Sequence, residues 1–199
     1  MNHTNSEVLM AIEPAGYAAR LEVDYPEELD RMTTFFRLIW IIPIEVIVSL
    51  LSSSLAVATA FMIIFRTRYP RWWFDFAVEL VRFESRIFAY QALLTDQYPS
   101  TVEEQAVHLE IDYPDVKRDL NRWLPLVKWF LAIPHYIVLL ILVPLSVFAI
   151  VFTWFAILFT GRYPRGLFDF VVGVGRWGLR VGAYAFLLVT DQYPPFSLN

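Results

Sequence analysis

The chain has 199 residues, of which 57% are hydrophobic and 18% charged, with a net charge of −4 and no cysteine. That composition excludes a disordered chain, disulfide scaffolds, thiol nucleophiles and cysteine-rich zinc sites, and a nucleic-acid binder that neutralises phosphates. Seventeen phenylalanines, ten tyrosines and seven tryptophans point to the lipid bilayer as a partner.

A polar tail over residues 1–19 comes first, and its acids, Glu7 and Glu13 among them, are unlike the basic start of a secretory signal. Leu21, Val23 and Tyr25 then alternate with polar residues, the period of a short strand. Arg37, Trp40, Pro43 and Glu45 approach the charge-free run 46–65, which at 1.5 Å per residue gives about 30 Å of helix, enough for a hydrocarbon core. The turn Arg68-Tyr69-Pro70-Arg71 places Arg68, Tyr69 and Arg71 at a membrane interface, where aromatic and long basic side chains reach the headgroups. A second helix follows, then Thr95-Asp-Gln-Tyr-Pro99 and a linker over 101–107.

The order then recurs. Leu109, Ile111 and Tyr113 alternate; Trp123, Pro125, Lys128, Trp129, Pro134 and His135 approach a second charge-free run, 137–160, of about 36 Å. Arg162, Tyr163 and Arg165 form the matching turn, and Thr190-Asp-Gln-Tyr-Pro194 the matching exit. Arg20-Leu-Glu-Val-Asp-Tyr-Pro26 pairs with His108-Leu-Glu-Ile-Asp-Tyr-Pro114, and Phe74-Asp75-Phe76 with Phe168-Asp169-Phe170. The chain is therefore an internal duplication, with repeat 1 over 20–100, repeat 2 over 108–196 and a short tail over 197–199. The expected fold is mainly α and integral to a membrane. Each repeat holds a short strand, one hydrophobic transmembrane helix, an Arg-Tyr-Pro turn and an amphipathic or membrane-embedded second helix. The two strands can pair with each other, and the six Tyr-Pro dipeptides mark the ends of elements.

The second helices carry the charge. Asp75, Glu79, Arg82 and Arg86 form one stripe about 60° wide at 100° per residue, and Asp169, Arg176 and Arg180 occupy the same line in repeat 2. Either this stripe faces water from a helix lying in the headgroup plane, or it faces a partner helix inside the membrane, where charge must be paired or wet. Two crossings make the repeats inverted, and four make them parallel. Gly175, Gly178 and Gly182 offer a helix-docking face, because glycine lets another backbone approach closely. His135 reads as an interfacial or packed histidine, and no metal-ligand spacing occurs.

The segments Leu124-Pro-Leu-Val-Lys-Trp129, Ala132-Ile-Pro-His-Tyr136, Phe159-Thr-Gly-Arg-Tyr-Pro-Arg-Gly-Leu-Phe-Asp-Phe170 and Asp191-Gln-Tyr-Pro-Pro-Phe196 together resemble the uncharacterised bacterial membrane-protein family filed as domain of unknown function (DUF) 4389. The resemblance covers 108–196 closely and 20–100 more loosely, as in a tandem two-copy member. Repeat 1 departs from the pattern with Pro43-Ile44-Glu45 for the Pro-His-Tyr element, Thr67 for Gly161 and Trp72 for Gly166. The resemblance implies the bacterial cytoplasmic membrane and supplies no catalytic residue.

No activated serine, glycine-rich phosphate loop or metal spacing is present, so no catalytic residue, metal or cofactor is assigned. The expected function is a non-enzymatic accessory or scaffold subunit of a membrane complex or homo-oligomer, without nucleic acid. The alternative is an oligomeric transporter or channel-like protein that uses the charged stripe.

Overall fold

The computed structural model describes residues 16–52 and 55–199, and these are mainly helical. Repeat 1 runs β1 (Ala19–Val23), α1 (Arg31–Ser52), α2 (Leu55–Arg66) and α3 (Arg71–Gln91). Repeat 2 runs β2 (Val107–Ile111), the single turn α4 (Val116–Asp119), α5 (Pro125–Leu131), α6 (Ile133–Thr160) and α7 (Arg165–Ala185). Most of the expected N-terminal tail, residues 1–15, lies outside the described residues.

The single hydrophobic helix expected in each repeat is α6 in repeat 2. Among the described residues only α6 is both long and apolar enough to cross a membrane. The apolar stretch of repeat 1 falls in α1, described to Ser52, and α2, described from Leu55, and the Ser52 hydroxyl donates back to Val48 O at 3.0 Å. In repeat 2 a boundary lies between α5 and α6 at Ala132, ahead of Pro134.

Both apolar arms end in the same way. Thr67 (φ 50°) and Gly161 (φ 73°) are left-handed, and their N–H groups donate to Ile63 O at 3.0 Å and Ile157 O at 2.7 Å. A left-handed β-branched residue costs about 1–2 kcal/mol, which glycine avoids. Thr67→Gly is therefore expected to raise unfolding stability by about 1 kcal/mol, seen as a higher thermal midpoint. A lower midpoint would show that the Thr67 side chain makes a compensating contact.

β1 and β2 pair antiparallel, with Leu21 opposite Leu109. Ala19, Leu21, Val107 and Leu109 point inward, whereas Glu22, His108 and Glu110 are exposed, so the alternation sets which face is buried. Arg20 ties the ribbon across to Glu110 (3.2 Å) and Asp112 (3.1 Å). Two strands alone are marginal in water, and the support here is crossed. The strand of repeat 1 lies on α7 of repeat 2, and the strand of repeat 2 lies on α3 of repeat 1. On the other side, α1 packs on α3, α6 on α7, and α1 on α6. α6 and α7 run antiparallel over most of their lengths, from Ala132 beside Ala185 to Ile157 beside Phe168. The molecule thus has three layers: a charged ribbon, the α3–α7 pair, and the apolar helices.

Candidate functional site

The Tyr-Pro motifs build two reciprocal locks between the repeats. Tyr113 Oη donates to Tyr69 O at 2.6 Å, and Tyr25 Oη donates to Tyr163 O. Tyr69 Oη in turn donates to Leu187 O (3.2 Å), and Tyr163 Oη to Ala92 O (3.3 Å). The turn arginines stack across the same junctions, Arg71 4.7 Å above the Tyr113 ring and Arg165 3.5 Å above the Tyr25 ring. Tyr69 and Tyr163 are buried, and burial pushes the Tyr163 hydroxyl up to about 12. Arg68 and Arg162 remain exposed beside them. The turn residues expected at a membrane interface thus divide. The arginines are outward, while the tyrosines turn into the chain's own core.

The Thr-Asp-Gln-Tyr-Pro exits build a second duplicated feature, a clamp on a buried cation. Arg37 is fully buried, donates to Tyr90 O (3.1 Å) and Thr95 O (2.8 Å), pairs with Asp96, and sits 4.5 Å from the Tyr90 ring centre. Lys128, also fully buried, donates to Thr190 O (2.7 Å), pairs with Asp191 (2.7 Å), and lies 5.0 Å from the Tyr184 ring centre. In each repeat the cation stands seven residues after a capping residue, Asp30 or Asn121, whose backbone N–H is donated to the same aspartate. Burial draws the Lys128 ammonium below its ordinary value, and the hydrogen bond to Asp191 opposes that shift.

The charged stripe is divided by its surroundings. Asp75 pairs with Arg71 at 3.1 Å and Glu79 pairs with Arg82, all at or near the surface, and Asp169 is exposed. Arg86 is buried and donates to Ser100 O. Arg176 donates to Leu21 O of β1 at 2.8 Å, and Arg180 reaches Ser197 O (3.2 Å) and Asn199 O (2.7 Å). The inner arginines therefore satisfy backbone carbonyls of the ribbon and the exits. His135 is buried as well; its Nδ1 accepts from Trp177 Nε1 at 3.0 Å, and its ring stacks 4.1 Å from Phe196.

A cavity of about 1360 Å³ lies between the α3–α7 layer and the apolar helices. Its wall is apolar, and among the described residues Glu84 is the only ionisable side chain in its lining, hydrogen-bonded to the Ser52 hydroxyl. Gly175, Gly178 and Gly182, the expected docking face, all border it. Only at Gly175 does a neighbour come close, where an added Cβ would meet the Phe88 ring at 2.7 Å. At Gly178 and Gly182 an added Cβ would meet nothing within 4 Å. Among the described residues these two glycines leave space and no helix docks on them.

From sequence, Arg37 and Lys128 read only as approach residues of the apolar runs, and Asp96, Asp191 and Glu84 take no binding role. The recurrence of Asp-Gln-Tyr-Pro in both repeats was the available signal for the clamps. The cavity had none, because its lining comes from seven elements.

The family model described as "Domain of unknown function (DUF4389)" matches the chain twice, at residues 31–103 and 123–197. No curated protein and no solved structure matches it.

Proposed function

The chain belongs to the DUF4389 family as a tandem two-copy member, and on that footing we propose a non-enzymatic membrane protein acting as an accessory or scaffold component of a membrane complex or homo-oligomer. The observation that carries this reading is where the charge goes. Arg37, Lys128, Arg86, Arg176 and Arg180 are bonded to the chain's own carbonyls and carboxylates. The outward surface of α6 is left to large apolar side chains such as Leu140, Phe148, Phe152 and Phe159. An apolar surface of that kind marks a lipid or protein contact. The same satisfaction of the stripe counts against a transport path along it, since a conducting path needs polar groups that exchange partners.

The layers also support a particular seating. The ribbon packs on α3 and α7, meeting the middle of α7 where Arg176 donates to Leu21 O, and does not pack on α1 or α6. Open sheet edges and exposed charges such as Glu22 and Glu110 are not tolerated in hydrocarbon. If α6 and α7 stood upright across the bilayer, the ribbon would fall at its centre. The proposed seating therefore lays the helices along one leaflet of a bacterial cytoplasmic membrane, with the apolar layer sunk in and the ribbon in water.

Single cysteines at Arg68, Thr101 and Asn199 in the cysteine-free chain test this by one-sided labelling in sealed vesicles. The in-plane seating predicts that all three label from the same side. With two crossings Asn199 would lie opposite the others, and with four crossings Arg68 would, so either pattern overturns the seating. Extraction in mild detergent should yield an oligomer or a complex with a stable partner. A lone monomer at every concentration would overturn the scaffold role.

A further inference from the structure

We infer that the cavity between the two repeats binds a single-chain amphiphile, a long alkyl chain ending in an uncharged hydrogen-bond donor such as a hydroxyl. Ligand pockets typically measure roughly 300–1,000 Å³ and combine apolar walls with a few placed polar groups. This one, at about 1360 Å³, has room for an extended chain. Three of its polar groups lie together at Glu84, where Ser52 bonds the carboxyl directly and Ser85 is the next residue of α3, while Gln91 and Ser146 line it elsewhere. A carboxyl in such a wall rewards a donor and repels an anionic head, while the apolar walls favour the chain at about 0.8 kcal/mol for each buried methylene.

The glycines supply the space. Gly178 and Gly182 lie one turn apart on α7, and both border the cavity with nothing within 4 Å of the Cβ they lack. Glycine costs an isolated helix about 1 kcal/mol relative to alanine, and at these positions no close backbone contact offsets that cost. What the two positions keep is an open wall. The lining also includes Val143, Val147 and Val151 of α6, whose exposed surfaces continue outward as the apolar layer. On the proposed seating this layer meets the acyl chains of the leaflet, so the membrane itself is the source of the ligand. In that one respect the inference rests on the function proposed above.

Trp129 and Trp154 both line the cavity and serve as reporters. The probe is a dibrominated octadecanol titrated into the purified full-length protein in detergent, with tryptophan quenching as the readout. Wild type should show a saturable component. Gly178→Leu, and separately Gly182→Leu, should weaken that component at least tenfold. Both substitutions raise helix propensity, and circular dichroism with a thermal melt checks that each variant folds. The brominated fatty acid should bind at least tenfold more weakly than the alcohol, and Glu84→Gln should narrow that gap. Equal quenching in wild type and both leucine variants means that only the outer surface is contacted, and overturns the inference. A missing saturable component in wild type does the same. Neither result depends on the labelling pattern of the vesicle experiment, so the seating and the cavity fail separately.

Discussion

Asp191→Ala is expected to destabilise the protein by about 3–5 kcal/mol, the cost of removing one partner from a buried ion pair. Lys128 is fully buried, and among the described residues its ammonium meets the Asp191 carboxylate, Thr190 O and the face of Tyr184. Without the carboxylate a charge stays in the interior with one carbonyl and one ring for compensation. The double replacement Lys128→Met with Asp191→Ala should recover most of the loss, because it removes the stranded charge together with its partner. Urea or thermal unfolding of the two single variants and the double variant measures the coupling. Additive losses would mean that the pair does not act as a unit.

Tyr163→Ala should cost a similar amount, about 3–5 kcal/mol for loss of a large buried aromatic ring. Tyr163 is 1% exposed and sits edge-on to Phe168, at 5.5 Å between ring centres. Its hydroxyl bonds the exit of repeat 1, and its carbonyl receives Tyr25 of the same repeat. Tyr163→Phe keeps the ring and loses only the bond to Ala92 O, for about 1 kcal/mol. The contrast separates packing from hydrogen bonding. Since the locks and the ribbon join the repeats reciprocally, wild type should unfold in one transition, and two resolved transitions would show independent repeats.

Much of the local order was legible in the chain itself. The period-two alternation around Leu21 and Leu109 gave both strands and their inward faces, and those strands pair with each other. The Arg-Tyr-Pro-Arg turns and Asp-Gln-Tyr-Pro exits fall at helix boundaries, where proline cannot continue a helix.

The candidate site was less legible than the fold. Arg37 and Lys128 have the flexible stems and nearby tryptophans of interfacial side chains, yet both are buried on partners from the exits. Those partners lie more than fifty residues away, at Asp96 and Asp191. Gly178 and Gly182 fit a close-packing motif by spacing alone, yet spacing does not say whether a neighbour is present. Among the described residues no neighbour meets Gly178 or Gly182, and both border a cavity.

By itself the sequence determined the duplication, the helical class, the apolar arms and the punctuation between elements, because each depends on residues close together along the chain. Only the tertiary structure decided that each strand rests on the other repeat, that the buried cations meet the exit aspartates, and that the stripe arginines satisfy backbone carbonyls. Those outcomes depend on which distant groups are brought within hydrogen-bond reach as the two repeats cross, and a local pattern carries no distance of that kind.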